Sequence, residues 1–200
     1  MHILATAATG MELEAIKKPL QGVGGVTFAV TGIGVMPTLY ALAPLLAKRR
    51  YDLALNVGLA GAYAPLPALG QVALVEHDAL DCFGVEDAAG AISPFASGKM
   101  TCPHALDFPA LAAYRRVSGL TVGLLTERPE RVAARRALYG ADVETMEGAA
   151  FFYACLRSGV RFLQLRGISN MVGVRDKAQW KTQEALQALG EATARLITNG

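Results

Sequence analysis

Ala141-Asp142-Val143-Glu144-Thr145-Met146-Glu147-Gly148-Ala149-Ala150-Phe151-Phe152-Tyr153-Ala154-Cys155-Leu156 changes character midway. Residues 142–145 read as a short strand. From Gly148 the run turns apolar at helical length, which predicts a helix over 148–158. A carboxylate, Glu147, therefore stands where a strand hands over to a buried helix. In open α/β sheets that end of the strands is where ligands bind. Two readings of Glu147 are open: it grips a pair of ligand hydroxyls, or it complements the positive end of the helix dipole.

The same alternation continues on both sides of this stretch. Strands are expected at 3–8, 26–31, 53–57, 71–76, 120–125, 142–145 and 161–166, with the third breaking at Gly58. Helices are expected over about 11–20, 37–49, 129–139, 148–158 and 178–198, with Pro129 in a first turn. Residues 81–109 mix Gly, Pro and Asp and read as a long excursion with little regular structure. Strands alternating with helices imply a three-layer α/β/α fold with a central mixed, largely parallel twisted sheet. Two hundred residues suit one domain over 1–200.

Composition narrows the function. The chain is 52% hydrophobic and 18% charged, enough for a large core. Its net charge of +2 argues against a nucleic-acid partner, which calls for a clear basic excess. Cys82, Cys102 and Cys155 form no CxxC pair, and His2, His77 and His104 are scattered, so reduced thiols and no metal site are expected. The first residues carry no basic segment and run into Glu12–Lys18, so they read as a strand entering a helix rather than a signal peptide. No apolar run reaches the ~18 residues of a membrane span. A cytoplasmic protein without membrane contact is expected.

Four stretches carry a family likeness: Thr9-Gly10-Met11-Glu12-Leu13-Glu14, Thr31-Gly32-Ile33-Gly34, Asn56-Val57-Gly58-Leu59-Ala60-Gly61, and Glu144-Thr145-Met146-Glu147-Gly148-Ala149 with Arg166-Gly167-Ile168-Ser169-Asn170. Together they resemble the purine nucleoside phosphorylase and nucleosidase superfamily and, within it, the futalosine hydrolases. The resemblance implies cleavage of the N-glycosidic bond of futalosine, with release of hypoxanthine, in menaquinone biosynthesis. It implies no cofactor, a small nucleoside as partner and a homo-oligomer. It places Glu147 on the ribose hydroxyls, with Met146, Ile33, Ala60, Gly61 and Ser169 also on the substrate and Arg166 in support. Arg166 also reads as an ordinary paired, half-buried arginine.

The chemistry is consistent with those roles. An oxocarbenium-like sugar must be stabilised, a purine must leave with its charge accommodated, and a water must be aimed. A carboxylate at 147 accepts from two vicinal hydroxyls and favours positive charge on the sugar. The resemblance assigns the water to Glu14, three positions after Met11; Glu12 and Glu14 are also the acids a first helical turn attracts. Asn170 departs from the Asp of the adenine-specific nucleosidases. Its amide offers an N–H to N7 and O6, which suits a 6-oxopurine; it also suits a turn after a strand.

Phosphorolysis is disfavoured. The first loop has no Arg, Leu59 replaces the hydroxyl of the phosphorylases' second loop, and Glu12 and Glu14 would repel phosphate. The segment Asp81–Asp87 resembles the part that sets futalosine hydrolases apart, and is expected near the 5′ aryl-carboxylate end of the substrate. Arg128, Arg131, Arg135 and Arg136 are expected to form a solvated helix face with Glu127 and Glu130.

Overall fold

The computed structural model describes residues 1–63, 67–104 and 108–199. The chain runs β1 (Ile3–Ala7), α1 (Gly10–Lys17), β2 (Val26–Val30), α2 (Val35–Lys48), β3 (Leu53–Ala62), β4 (Val72–Leu80), β5 (Gly84–Glu86), β6 (Ile92–Pro94), β7 (Lys99–Thr101), β8 (Arg115–Thr121), α3 (Pro129–Tyr139), β9 (Val143–Thr145), α4 (Gly148–Ser158), β10 (Phe162–Met171) and α5 (Thr182–Asn199). The fold is α/β with a mixed, largely parallel sheet, as expected.

β3 organises the sheet. Its first residues pair parallel with β1, its last two pair antiparallel with β9, and its other edge runs parallel to β10 from Ala54 to Ala62. β10 continues antiparallel to β4, β4 parallel to β8, and β8 parallel to β9. Pairing thus returns to β3, so β3, β10, β4, β8 and β9 close on one another while β1 and β2 extend outward. Closure of this kind removes exposed strand edges.

Packing follows from the apolar runs. β1 is buried along its whole length, and Phe151, Phe152 and Phe162 meet edge-to-face between α4 and β10. α4 ends at Gly159, whose φ of 65° is the left-handed conformation a helix C-terminus favours in glycine. Among the described residues no helix is long and apolar enough to cross a membrane.

Several boundaries differ from the sequence reading. β3 does not break at Gly58 but continues to Ala62. β10 extends past residue 166 to Met171, so Asn170 lies in a strand end rather than a following turn. β8 occupies Arg115–Thr121 rather than 120–125: its first two residues are exposed arginines, which hide the strand pattern, while Leu124 and Leu125 lie outside the sheet and are exposed. The excursion holds a β5–β6 hairpin and β7, which pairs with β4; its residues 105–107 lie outside the described residues.

Candidate active site

The strand ends converge on a cavity of about 280 Å³. Thr9, Met11 and Glu12 reach it from the start of α1, and Leu59–Gly61 from β3. Glu144–Glu147 enter from β9 and the start of α4, Ser169 and Asn170 from β10, and Val172–Arg175 with Trp180 from the following loop. That is close to the lower end of the size range of small-molecule sites.

Glu12 is fixed by its own helix. Thr9 is the N-cap of α1, and its side chain accepts the Glu12 N–H while Glu12 Oε2 accepts from the Thr9 N–H at 3.0 Å and the Thr9 hydroxyl at 2.7 Å. This is a capping box. The second oxygen, Oε1, accepts the Leu59 N–H at 2.8 Å. Glu12 is 7% exposed and faces the cavity.

Glu147 is the N-cap residue of α4, yet its side chain caps nothing in that helix. Oε1 accepts the Gly34 N–H at 3.1 Å, and Oε2 lies 3.9 Å from Arg166 Nη1. Gly34 has φ 96°, a conformation side chains rarely adopt, so glycine there lets the loop present its N–H to the carboxylate. Glu147 is thus aimed across the sheet ends rather than held by its own helix dipole.

Arg166 is fully buried beneath the cavity. A Cβ on Gly58 would overlap Arg166 Nη1 and come within 2.8 Å of Glu12 Oε1, so the guanidinium and the Glu12 carboxylate share the space that this glycine leaves. Arg166 Nε and Nη2 donate to no acceptor among the described residues. Removing an arginine from water costs several kcal/mol unless counter-charges surround it; Glu12, Glu147 and Asp78 are the acids that lie around it.

Asp78, fully buried on β4, is the deepest of these. It accepts from the Thr121 hydroxyl at 2.7 Å and from Gln164 Nε2 at 3.1 Å. Burial pushes its carboxyl up to about 6, against the lowering effect of those bonds and of Arg166. Thr121 Oγ1 in turn accepts the Ala149 N–H at 2.7 Å, so this network seats the first turn of α4, behind Glu147.

Asn170 follows an irregularity in the β10–β3 register between Ile168 and Asn170. Ser169 Oγ donates to Asn170 Oδ1 at 2.7 Å, and Asn170 Nδ2 donates to the Met171 carbonyl at 2.9 Å. Asn170 and Glu144 are both register partners of Gly61, so they stand on either side of it across three strands. Register partners share a face of the sheet. Glu144 Oε2 accepts from Tyr63 at 2.8 Å and from Arg135 at 3.2 Å, and burial still holds its carboxyl above the usual carboxylate range.

The structure brings Glu147, Met146, Ile33, Ala60, Gly61, Ser169 and Asn170 to one cavity, with Arg166 beneath it. It does not bring Glu14 there. Residues two apart on a helix lie about 200° apart around it. With Glu12 turned to the cavity, Glu14 points to the outer surface and pairs with Lys17 at 2.9 Å. No residue of 81–104 lines the cavity. Arg135 departs from the expected solvated face: it is buried and ion-paired with Asp81 at 2.7 Å and Glu144 at 3.2 Å. The three cysteines are free, and among the described residues no cluster of side chains could hold a metal ion.

Sequence reasoning weighed Glu12 and set it aside for Glu14, and it missed Thr9, Glu144, Arg175 and Trp180 as cavity residues. For Glu12 a signal existed, because Thr9-Gly10-Met11-Glu12 is the T-x-x-E pattern of a capping box. For Glu144 the signal was absent, since its place beside Gly61 depends on a pairing between distant strands.

Known proteins show the same organisation. Residues 8–199 match the phosphorylase superfamily. The chain is 39% identical to a futalosine hydrolase of Thermus thermophilus over 89% of this chain and 83% of that one, and 31% identical to a futalosine hydrolase of Streptomyces coelicolor over 98% and 95%. Among solved structures, the 5′-methylthioadenosine/S-adenosylhomocysteine nucleosidase of Neisseria meningitidis superposes with a TM-score of 0.84 at 17% identity, covering 100% of this chain and 99% of that one. A futalosine hydrolase mutant of Helicobacter pylori gives 0.83 at 16%, with both chains fully covered. At such identities these structures speak for the fold, whereas the sequence relatives speak for descent: the chain belongs to the phosphorylase superfamily and, within it, to the family of the futalosine hydrolases.

Proposed function

We propose that this chain hydrolyses the N-glycosidic bond of futalosine, releasing hypoxanthine and dehypoxanthine futalosine on the route to menaquinone. The observation that carries the reading is the placement of Glu12 and Glu147 in one cavity, with buried Arg166 beside both and Asn170 on the neighbouring strand. Glu147 accepts hydrogen bonds from the ribose 2′- and 3′-hydroxyls, and its charge favours the oxocarbenium-like sugar. As the C–N bond breaks, its electron pair goes to the purine. The Asn170 amide donates to N7, which spreads the charge of the leaving base. Water adds to the anomeric carbon and gives its proton to Glu12. The departing hypoxanthine takes up a proton from solvent, and Glu12 returns its proton to solvent. Ile33, Met146, Ala60, Gly61 and Ser169 form the remaining walls, and Arg166 keeps both carboxylates in place.

Water is favoured over phosphate because Glu12, Glu144 and Glu147 line the cavity against one arginine, Arg175, and this excess of acids disfavours a phosphate dianion. The exposed Met36 and Tyr40 of α2, with Tyr153 and Leu156 of α4, support a homo-oligomer. The enzyme is placed in the cytoplasm, where such a nucleoside would be met.

The test is hypoxanthine or adenine release from futalosine, inosine and methylthioadenosine, each with and without phosphate. Futalosine is expected to be the best substrate, with no phosphate requirement. Strict dependence on phosphate would overturn the hydrolase assignment, and faster turnover of methylthioadenosine would overturn the base assignment. Tight binding without release would mark a binding protein instead.

A further inference from the structure

We propose that Arg175 and Trp180 form a rim subsite for an aromatic carboxylate, and that this pair makes the enzyme prefer an acidic nucleoside over a neutral one. The proposal rests on the reading of the cavity as a futalosine site and deepens it by assigning the residues that select the far end of the substrate.

After β10 the chain crosses the mouth of the cavity, and Val172, Gly173, Val174, Arg175 and Trp180 all line it. The indole pins this crossing, since Trp180 Nε1 donates to the Val174 carbonyl at 3.0 Å. The Lys181 N–H donates to the Ser169 carbonyl at 2.7 Å, which fastens the far end of the loop to the strand that carries Asn170. The rim is therefore built onto the site. Arg175 lies over the Trp180 ring with its guanidinium carbon 5.8 Å from the ring centre.

The charge pattern gives the subsite its meaning. The other ionisable side chains that line the cavity are the acids Glu12, Glu144 and Glu147. Arg135 and Arg166 offset those acids from behind but do not line the cavity, so the cation a substrate carboxylate can reach is Arg175 at the rim. Arg175 is open to such a ligand: among the described residues it has no ion pair. Its neighbour Asp176 is engaged with the Ala178 N–H at 3.0 Å and Gln179 Nε2 at 3.1 Å. A guanidinium matches a carboxylate with two parallel N–H bonds, and an indole face gives an aryl ring a stacking surface. The two together fit a benzoate-like group better than a bare anion or a neutral alkyl chain.

The experiment compares futalosine with its carboxamide, which keeps the shape and removes the charge. For the wild type, Arg175→Gln, Arg175→Lys and Trp180→Leu, kcat/KM is measured by hypoxanthine release, and dissociation constants by calorimetry, in the Glu12→Gln background wherever the nucleoside is turned over. The wild type is expected to prefer the acid about tenfold, the size of one partly exposed charge-assisted contact. In Arg175→Gln that ratio falls to about one, with the loss in KM rather than kcat; Arg175→Lys retains part of it. Trp180→Leu weakens acid and carboxamide alike. Raising the salt concentration erodes the wild-type preference and leaves Arg175→Gln unmoved. An Arg175→Gln variant that keeps the wild-type ratio, or a wild type that binds acid and amide equally, overturns the proposal. A wild type that prefers the acid in calorimetry but releases no hypoxanthine overturns the hydrolase reading and leaves the subsite standing.

Discussion

Leu59 donates its backbone N–H to Glu12 Oε1 at 2.8 Å, tying the first turn of α1 to the middle of β3. The bond holds one carboxylate oxygen while Thr9 holds the other, so Glu12 is oriented before any substrate arrives. Glu14 has no such anchorage and pairs at the surface with Lys17. Glu12→Gln is expected to lower kcat by about 100-fold or more, the contribution of a positioned base. Glu14→Gln is expected to stay within about twofold of the wild type and to change stability by under about 1 kcal/mol, as an exposed pair does. Steady-state rates on the two variants decide the matter; a large loss in Glu14→Gln with Glu12→Gln near the wild type would return the role to Glu14.

Asn170 Nδ2 donates to the Met171 carbonyl at 2.9 Å, and this bond decides what an acid would do there. In Asn170→Asp a carboxylate oxygen would face that carbonyl oxygen, acceptor against acceptor. A proton on the carboxyl relieves the conflict, so the new side chain would sit neutral and donate. That single proton can leave the Met171 carbonyl for a bound base that must be protonated at N7, and the lost amide no longer matches O6. The ratio of 6-oxopurine to 6-aminopurine nucleoside turnover is expected to fall in Asn170→Asp. An unchanged ratio would mean that base choice is set elsewhere in the cavity.

The helix at 148–158 and the Glu147 that precedes it were legible in the sequence, because the apolar run and the strand-to-helix change are local signals. The choice between Glu12 and Glu14 turned on which side of α1 faces the strand ends. The capping box pointed to Glu12, but as a helix device rather than as a cavity group. Gly58 misled for a different reason. Glycine normally weakens a strand, yet here the missing side chain makes room for Arg166 and Glu12, and only the packed structure shows that need. Closure of β3 onto β10, which brings Glu144 and Asn170 to either side of Gly61, is a long-range pairing with no local pattern to announce it.

Gly58→Ala follows from that geometry. The added methyl would overlap Arg166 Nη1 and press on Glu12 Oε1. Both are ends of flexible side chains, so the fold can yield by moving them. The expected result is a folded protein whose kcat falls by about 100-fold, since displacing a positioned group by about 1 Å suffices for that. Circular dichroism and the melting temperature read the fold, and hypoxanthine release reads the site. Full activity in Gly58→Ala would show that the Arg166–Glu12 arrangement is not required.

Asp78 carries a pH signature in the stability of the fold. Its ordinary value is 3.8 and the buried site raises it to about 6. A group raised on folding contributes stability fully below its unfolded value and loses it as pH rises through the folded one, so the folded protein gives up about 2 kcal/mol on this account between pH 4 and 7. Asp78→Asn has no such titration. Its Nδ2 would also meet Gln164 Nε2, so the Gln164 amide must turn and its bond to Asn56 at 3.2 Å is lost. Asp78→Asn is therefore expected to be the less stable protein at pH 4, and the difference should close or reverse by pH 7. Urea unfolding of both proteins at pH 4, 5, 6 and 7 measures it. A difference that stays flat across this range would mean that Asp78 titrates as an ordinary carboxylate, and that the network behind the first turn of α4 carries a buried charge at its centre throughout.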